Sequence, residues 1–378
     1  MKPLQLVSAN DSFAALVALG DVVAGDKAVF FKSGDLNLAS IGGVAGDVDA
    51  YADLPDAVSD QVALIVESSG STGVPKRIEV NLEPLVFSAT TTNEVLGGPG
   101  QWLLALPLTF IAGIQVLVRS ILADTQPVMM NPSVPFTPEG FARSASMLTS
   151  ERRYTSLVPT QLDRIANAID QDEFVLQQIL RFDAILLGGA APNRASLAKL
   201  RDLGARVIET YGMTETCGGC IYDGFPLPGV SITLDEAGLI SLSGPMLANE
   251  DLGTEFLTSD LGRLTADGRL EVIGRADRVI NSGGLKLSLE AVEAFAKSVR
   301  GVRDAAAVAI EDDEFGQSFA CYLESVGDDL PIDATAAVGA LGKVASKSRW
   351  IRLESLPRLA NGKPDLQSLQ ARSASDLL

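Results

Sequence analysis

Short apolar segments that end in glycine-rich turns and then continue into helical periodicity recur along this chain. Ala184 to Leu187 leads into two glycines and a predicted helix over Asn193 to Leu203. Val207-Ile208 leads into a predicted turn at Tyr211 to Thr214. This pattern is typical of α/β folds with parallel strands, in which ligands bind at the carboxyl ends of the strands. We therefore predict an α/β fold with mixed and parallel sheets.

The pattern changes near residue 274, where a short polar segment follows an apolar one. Ser288 is a suitable N-cap for an amphipathic helix, and Ala305 to Ile310 and Phe319 to Leu323 are predicted strands. A second amphipathic helix is expected after Asp333. We predict a large N-terminal domain over residues 1–274 and a small α+β C-terminal domain over residues 275–378.

The chain contains no histidine among its 378 residues. This excludes a Ser-His-Asp triad, a Cys-His pair and any metal site that needs imidazole. A formal net charge of −18 disfavours nucleic-acid binding. Three cysteines are too few for a disulfide framework in a chain of this length, and no signal peptide is predicted. We therefore expect a cytoplasmic protein, and we interpret Cys217 and Cys220 as small pocket-lining residues.

An uncharged stretch of 17 residues runs from Trp102 to Val118. It is shorter than the roughly 20 residues of a spanning helix, and Pro107 interrupts it. We predict a buried strand over Leu103 to Leu106, a turn, and a buried helix that begins near Ala112, rather than a membrane span.

A polar segment follows the apolar run Val62 to Val66. It consists of Ser68, Ser69, Gly70, Ser71, Thr72, Gly73, Val74, Pro75 and Lys76. Free backbone N–H groups, hydroxyls and a cation are the groups that bind a polyphosphate. The segment is not a Walker A loop, because Lys76 lies between proline and arginine. A surface turn is the alternative.

Three further segments contain candidate ligand-binding residues, but each is weak evidence for a function when it is considered alone. Thr214 and Glu215 place a hydroxyl and a hard carboxylate oxygen, which suits Mg²⁺, in one turn. Asp260 and Arg275 suit a nucleotide ribose, although an ordinary hairpin is the alternative. Lys363 lies in a turn-rich segment near the C-terminus and is otherwise a surface lysine.

In their joint order, from Ser68 to Asp365, these segments resemble the adenylate-forming superfamily of acyl-CoA ligases, adenylation domains and luciferases. The resemblance implies ATP, Mg²⁺ and CoA as ligands, with the Ser68–Lys76 loop on the ATP phosphates. Thr214 would contact the α-phosphate, and Glu215 would bind Mg²⁺. The residues implied around the adenine are Gly189, Ala190, Glu209, Thr210 and Tyr211.

The resemblance also implies a mobile C-terminal domain. Lys363 would bridge the acyl carboxylate and the α-phosphate during adenylation, and Asp260 and Arg275 would hold the ribose. Asp277 would be the hinge. Rotation of the domain would then bring Gly283 and Gly284 to the site for thioester formation with CoA.

Arg119 indicates which acid is activated, because it follows a strongly apolar stretch and a buried cation needs an anion. The alternatives are a surface position or an interaction with the C-terminus of its own helix. Gly113 followed six residues later by Arg119-Ser120 resembles the o-succinylbenzoate–CoA ligases of menaquinone biosynthesis, whose substrate is an aromatic dicarboxylate. Phe110 stands where many members have histidine.

The resemblance places Gly212 and Met213 beside the acid. Two other functions stay open: a ligase for a different aryl or acyl carboxylate, and a non-catalytic nucleotide-binding protein on the same fold. The region before Ser68 is short for this superfamily, so a homodimer could cover a surface that it leaves open.

Overall fold

The computed structural model describes residues 1–32, 51, 53–68, 76–299, 301–325, 332–358 and 364–375. By their internal contacts, Met1–Ile232 and Leu242–Phe256 form one compact unit, and Thr233–Ser241 and Leu257–Leu378 form a second. From the sequence we expect a mobile C-terminal domain that begins near residue 274. This domain boundary stays a prediction.

The first unit alternates strands and helices. Its elements are β1 (Lys2–Ser8), α1 (Ser12–Ala24), β2 (Ala28–Lys32), β3 (Ala57–Val58), β4 (Val62–Ser68), β5 (Lys76–Asn81), α2 (Leu82–Val95), β6 (Gln101–Leu104), α3 (Ile111–Leu122), β7 (Val128–Met129), α4 (Pro138–Ser146), β8 (Arg153–Leu157), α5 (Pro159–Ala168), α6 (Glu173–Ile179), β9 (Ala184–Leu187), α7 (Arg194–Asp202), β10 (Val207–Met213), β11 (Gly218–Tyr222) and β12 (Phe225–Pro226).

A five-stranded sheet has the order β3-β1-β2-β4-β5. Strands β1, β2 and β4 are parallel, and β5 returns antiparallel to β4. The β4–β5 pairing extends to Ser68 opposite Lys76. The segment that connects this pair, residues 69–75, lies outside the described residues.

A seven-stranded sheet has the order β12-β11-β10-β9-β8-β6-β7. Strands β6 to β10 pair in parallel, whereas β11 and β12 are antiparallel. Buried side chains of α4 to α7, among them Phe141, Leu162 and Leu197, pack with Leu103 and Ile185 of the sheet in one apolar core. These parallel strands followed by helices confirm the α/β fold predicted from the strand–glycine–helix pattern.

The remaining elements are β13 (Ser231–Leu234), β14 (Leu239–Ser243), β15 (Phe256–Leu264), β16 (Leu270–Arg275), β17 (Val279–Ser282), β18 (Leu285–Ser288), α8 (Leu289–Ser298), β19 (Val302–Asp312), β20 (Gly316–Ser325), α9 (Ala334–Leu341), β21 (Arg349–Leu353) and α10 (Leu366–Ser375). Strands β13 to β16 form one sheet. A second sheet has the order β18-β17-β20-β19, with β21 on β20.

The α+β character of the C-terminal region is confirmed by its local structure. Ser288 caps α8 by accepting from the N–H groups of Glu290 and Ala291, and Asp333 caps α9. Both predicted strands are present within the longer β19 and β20. Apolar side chains of α8 pack against β19 and β20 in a core that includes Val292 and Phe319.

The uncharged stretch that begins at Trp102 forms the end of β6 and most of α3, as predicted. The strand ends at Leu104, two residues earlier than expected, and the helix begins at Ile111. Among the described residues, no helix has the length and apolar character that a membrane span needs.

Candidate active site

The loop between β9 and α7 lies at the carboxyl end of a central parallel strand. Gly189 adopts a positive φ of 90°, and both it and Ala190 are exposed. Asn193 caps α7 by accepting from the N–H groups of Ala195 and Ser196. The loop is therefore an accessible turn at the edge where ligands bind in such sheets.

Strand β10 is longer than its apolar start indicates, and the predicted turn is wrong in its position. Residues Tyr211 to Met213 continue the strand by pairing with β11, so the turn begins at Thr214. Gly212 allows this, because a Cβ there would lie 2.0 Å from the carbonyl oxygen of Gly218. The hydroxyl of Thr210 donates to the carbonyl of Leu187 and fixes β10 against the end of β9.

Thr214 and Glu215 lie in a single 3-10 turn that ends at Cys217, and both are half-buried. The hydroxyl of Thr216 accepts from the N–H of Met213 at 2.9 Å. The carbonyl of Glu215 accepts from the N–H of Ala248 at 2.9 Å. The turn that carries Thr214 and Glu215 is thus held by one side-chain and one backbone hydrogen bond.

Ala248 links this turn to β5. Its carbonyl oxygen accepts from the N–H of Asn81 at 2.7 Å, and Asn81 is the last residue of the strand that begins at Lys76. Strand β5, which leaves the predicted phosphate loop, therefore packs beside the turn that carries Glu215.

The donor set at the turn suits Mg²⁺ that arrives with a nucleotide. Glu215 supplies one carboxylate, and no group of three or more acidic or cysteine side chains that could hold a metal occurs in the described part of the chain. Mg²⁺ is commonly bound by one or two carboxylates together with substrate phosphates and water. The residues present fit that mode of binding.

Glu209 is tied to α7. Its carboxylate pairs with Arg194 at 2.7 Å and with Arg201 at 3.4 Å, and its N–H donates to the carboxylate of Asp223 at 3.0 Å. These contacts fix both the first and the last turn of α7 relative to β10. A contact between Glu209 and the adenine stays a prediction.

Arg119 is buried on α3, with 3% of its surface exposed. Its guanidinium carbon lies 5.0 Å from the ring centroid of Trp102. Within the described residues it forms no ion pair, and its buried Nε has no hydrogen-bond partner. Burial lowers the pKa of Arg119, because desolvation disfavours the cation. The surface alternative considered from the sequence is therefore wrong.

Gly113 and Phe110 lie at the start of the same helix. A Cβ on Gly113 would lie 2.2 Å from the carbonyl oxygen of Pro107, so the glycine allows α3 to pack closely against the segment after β6. Phe110 is the N-cap residue and is 53% exposed. Gly113 thus sets the position of the helix that carries Arg119, six residues further along.

Gln115 is a buried site residue that the sequence analysis missed. Its Nε2 donates to the carbonyl oxygens of Cys217 and Leu85 at 2.8 and 3.2 Å. The available signal was its spacing, since Gln115 precedes Arg119 by four residues and so lies on the same helix face.

The cysteines near the turn are unsuited to redox or metal chemistry. Cys217 and Cys220 are buried free thiols. Burial raises the pKa of Cys220 to about 12 and also raises the pKa of Cys217. Both are therefore protonated near neutral pH, and their interpretation as small pocket-lining residues stays a prediction.

Within the second unit, the register of β15 and β16 places Asp260 opposite Arg275. The guanidinium of Arg275 makes two hydrogen bonds to the carboxylate of Asp277, at 2.9 and 3.2 Å. Gly283 and Gly284, both with positive φ, form the two-residue turn between β17 and β18. The structure thus groups the predicted ribose and hinge residues at the end of one strand pair.

Several predicted residues lie outside the described residues, so their roles stay predictions. They are Ser69, Gly70, Ser71, Thr72 and Gly73 of the phosphate loop and Lys363 of the C-terminal unit.

The fold, the glycine-rich edge and the Thr-Glu turn define a class of protein. The chain belongs to the AMP-binding enzyme family, whose model matches residues 14–251. A protein of Mycobacterium tuberculosis named "Probable 2-succinylbenzoate–CoA ligase" is 38% identical over 336 residues, which cover 84% of this chain and 86% of that protein. The superfamily expected from the motif order is confirmed.

Solved structures share the fold. The o-succinylbenzoate CoA synthetase of Bacillus subtilis in complex with its acyl-adenylate intermediate matches 95% of this chain and 81% of its own, with a TM-score of 0.71 and 23% identity. The same enzyme with ATP and magnesium matches 96% of this chain and 83% of its own, with a TM-score of 0.70 and 22% identity.

Proposed function

We propose that this chain is an AMP-forming o-succinylbenzoate–CoA ligase. In the first half-reaction, the succinyl carboxylate attacks the α-phosphate of ATP, forming the acyl-adenylate and releasing pyrophosphate. In the second, the thiol of CoA attacks the acyl carbon, forming the thioester and releasing AMP. Family membership and the 38% identity to a protein named for this activity support the proposal.

The assignment of the acid rests on Arg119, which is buried and forms no ion pair with any residue that the structure describes. A buried cation without an anion is unfavourable. The presence of a buried arginine here therefore indicates that a ligand supplies the negative charge. Trp102, which contacts the guanidinium, also has a buried Nε1 without a hydrogen-bond partner among the described residues. Two donors on contacting side chains suit a carboxylate, which accepts several hydrogen bonds.

The position of Arg119 along α3 suits a substrate with two carboxylates. Six residues separate it from Gly113, which corresponds to roughly 9 Å along the helix axis. The first turn of α3 lies near the end of β6, at the edge where the nucleotide is expected. A dicarboxylate can therefore place one end at the α-phosphate while Arg119 holds the other.

The proposal assigns the ATP contacts by resemblance. Thr214 binds the α-phosphate, Glu215 binds Mg²⁺, and Lys76 with the loop before it binds the outer phosphates. Mg²⁺, when bound with the nucleotide, neutralises charge that develops on the phosphates. Lys363 supplies a second positive charge at the acyl carboxylate.

This chemistry needs no histidine. A carboxylic acid with a pKa of about 4 is ionised at neutral pH and is already a nucleophile. The protein therefore positions the reactants and stabilises charge rather than removing a proton. The thiol of CoA, with a pKa of about 8.5, is a few per cent thiolate near pH 7 without a base.

ATP–pyrophosphate exchange tests the proposal. The enzyme is assayed with Mg²⁺, ATP and a panel of mono- and dicarboxylic aromatic acids, followed by mass spectrometry after CoA is added. We expect exchange and a thioester with o-succinylbenzoate. Turnover with a different acid and none with o-succinylbenzoate would assign another ligase activity. AMP binding without exchange for any acid would support a non-catalytic role.

A further inference from the structure

Gln115 is a fully buried amide that joins three parts of the first unit. It lies on α3, and its Nε2 donates to the carbonyl of Leu85 on α2 and to the carbonyl of Cys217. Both partners are carbonyl oxygens, so the amide nitrogen must be the atom that faces them. The side chain also packs against the next peptide, since a Cβ on Gly218 would lie 3.5 Å from its Cγ.

Cys217 is the residue on which the Thr214–Thr216 turn ends. Its φ of 54° lies in the left-handed region, which is uncommon for a residue with a side chain. Such backbone conformations persist where the surroundings determine them. The carbonyl of Cys217 accepts a second hydrogen bond from the hydroxyl of Ser88 at 3.1 Å. Two buried donors therefore hold the peptide that closes the turn.

We propose that Gln115 is a positioning residue for Glu215 and Thr214. It fixes the geometry of the Thr214–Thr216 turn, which carries the proposed phosphate and Mg²⁺ ligands. The inference rests on the proposed function, which assigns these two residues to ATP. Gln115 touches neither ATP nor the acid in this scheme. It acts through the carbonyl of Cys217, two residues after Glu215.

The same helix places Arg119 one turn further on. The acid-binding cation and the donor that fixes the catalytic turn are therefore on one face of one helix. Displacement of α3 would move both together. A variant that removes only the Gln115 hydrogen bond leaves α3 in place, so we expect it to impair the chemical step while Arg119 still binds the acid.

The test variant is Gln115→Met, which keeps a similar volume and cannot donate a hydrogen bond. Gln101→Met is the matched control. Gln101 is also buried and donates from Nε2 to the carbonyl of Gln126 at 2.8 Å, and its Oε1 accepts from two backbone N–H groups, so this variant removes more hydrogen bonds than Gln115→Met does. It lies at the opposite, amino-terminal end of β6. Ser88→Ala removes the weaker donor to Cys217 and provides a milder second variant.

Each variant is assayed by thermal unfolding, by ATP–pyrophosphate exchange with o-succinylbenzoate, and by calorimetric binding of ATP at several Mg²⁺ concentrations. For Gln115→Met we expect kcat to fall about tenfold, the effect of one well-formed buried hydrogen bond. The KM for the acid should change less than about twofold. The Mg²⁺ concentration for half-maximal ATP binding should rise. Ser88→Ala should shift the same quantities in the same direction, by less.

The inference is overturned if Gln115→Met and Gln101→Met lose similar thermal stability and have the same kcat and Mg²⁺ dependence. It is also overturned if Gln115→Met raises the KM for the acid and leaves kcat unchanged. The wild-type protein separates this result from failure of the proposed function, because absence of exchange with o-succinylbenzoate in the wild type contradicts the assigned activity itself.

Discussion

At the scale of single residues, a buried arginine without an anion destabilises the folded protein, and Arg119 has no anionic partner among the residues that the structure describes. We expect Arg119→Met to raise the free energy of unfolding of the ligand-free protein by about 1–4 kcal/mol, as when buried charges are replaced by apolar side chains. In the same variant, the binding free energy for a dicarboxylate should be weaker by about 2–5 kcal/mol. Urea unfolding and kcat/KM for o-succinylbenzoate measure the two effects.

The control for Arg119 is Arg164→Met, because Arg164 is exposed and donates to a backbone carbonyl. It should change neither quantity appreciably. If the role of Arg119 were purely structural, Arg119→Met would lower the free energy of unfolding. If the substrate had only one carboxylate, Arg119→Met would hardly change kcat/KM. Either result would contradict the assignment of Arg119 to the second carboxylate.

Lys363 is expected to act in one half-reaction. If it bridges the acyl carboxylate and the α-phosphate, Lys363→Ala should abolish pyrophosphate exchange and spare thioester formation from a supplied acyl-adenylate. The two half-reactions are measured separately on the same preparation. Lys343, a second lysine of the C-terminal unit, provides the control as Lys343→Ala. Equal loss of both half-reactions would remove the assigned role.

A residue can be identified in the sequence where its type breaks a pattern; the burial expected of Arg119 is confirmed, and its role stays a prediction. Arg119 ends a long uncharged stretch, and this contrast marked it in the sequence. Gln115 lies within the same stretch but is uncharged, and its proposed positioning role comes from a hydrogen bond to the carbonyl of Cys217, which is 102 residues away. Sequence spacing along α3 carries no information about that partner, so the structure was needed to identify it.

At the scale of elements, a strand that stops at a glycine turn was predictable at both ends, whereas strands that extend beyond their apolar run were not: β19 and β20 each begin three residues before the predicted start. Ala184 to Leu187 is a strand with the predicted bounds, because an apolar run followed by two glycines has a clear end. β10 was expected to end before Tyr211. It continues to Met213 because β11 pairs with it from downstream, and that pairing is a tertiary contact.

The close approach of β10 and β11 provides a test at this scale. A Cβ on Gly212 would lie 2.0 Å from the carbonyl oxygen of Gly218, so Gly212→Ala should force the strands apart. We expect a loss of about 1–3 kcal/mol in the free energy of unfolding, as for other overpacked sites. Pyrophosphate exchange should also fall, because Thr214 follows directly. Urea unfolding and exchange are measured together.

Gly20→Ala in α1 is the matched substitution. Nothing lies within 4 Å of a Cβ at Gly20, which is inside a helix. Alanine should therefore stabilise the protein by about 0.5–1 kcal/mol, since glycine in a helix loses more conformational entropy on folding. If Gly212→Ala behaved like Gly20→Ala in both assays, the close packing of the two strands would not matter for the turn.

At the scale of the whole molecule, the charge of −18 opposes the approach of the substrates. ATP, CoA and a dicarboxylate are all anions, so long-range electrostatics should slow their capture. The proposed function assigns four cations to these substrates, Lys76, Arg119, Arg275 and Lys363. Arg119 is buried, and salt screens a buried charge less than it screens the surface charge.

The balance between these two effects predicts the salt dependence. Salt shortens the Debye length from about 30 Å at 0.01 M to about 10 Å at 0.1 M, so it should weaken the repulsion first. We expect kcat/KM for Mg-ATP and for o-succinylbenzoate to rise or stay constant over this range of KCl, at fixed free Mg²⁺. Strong inhibition from the lowest ionic strength upwards would show that attraction dominates substrate capture. Arg119→Met separates the contributions, because its kcat/KM for the acid should retain the dependence on salt set by the rest of the molecule.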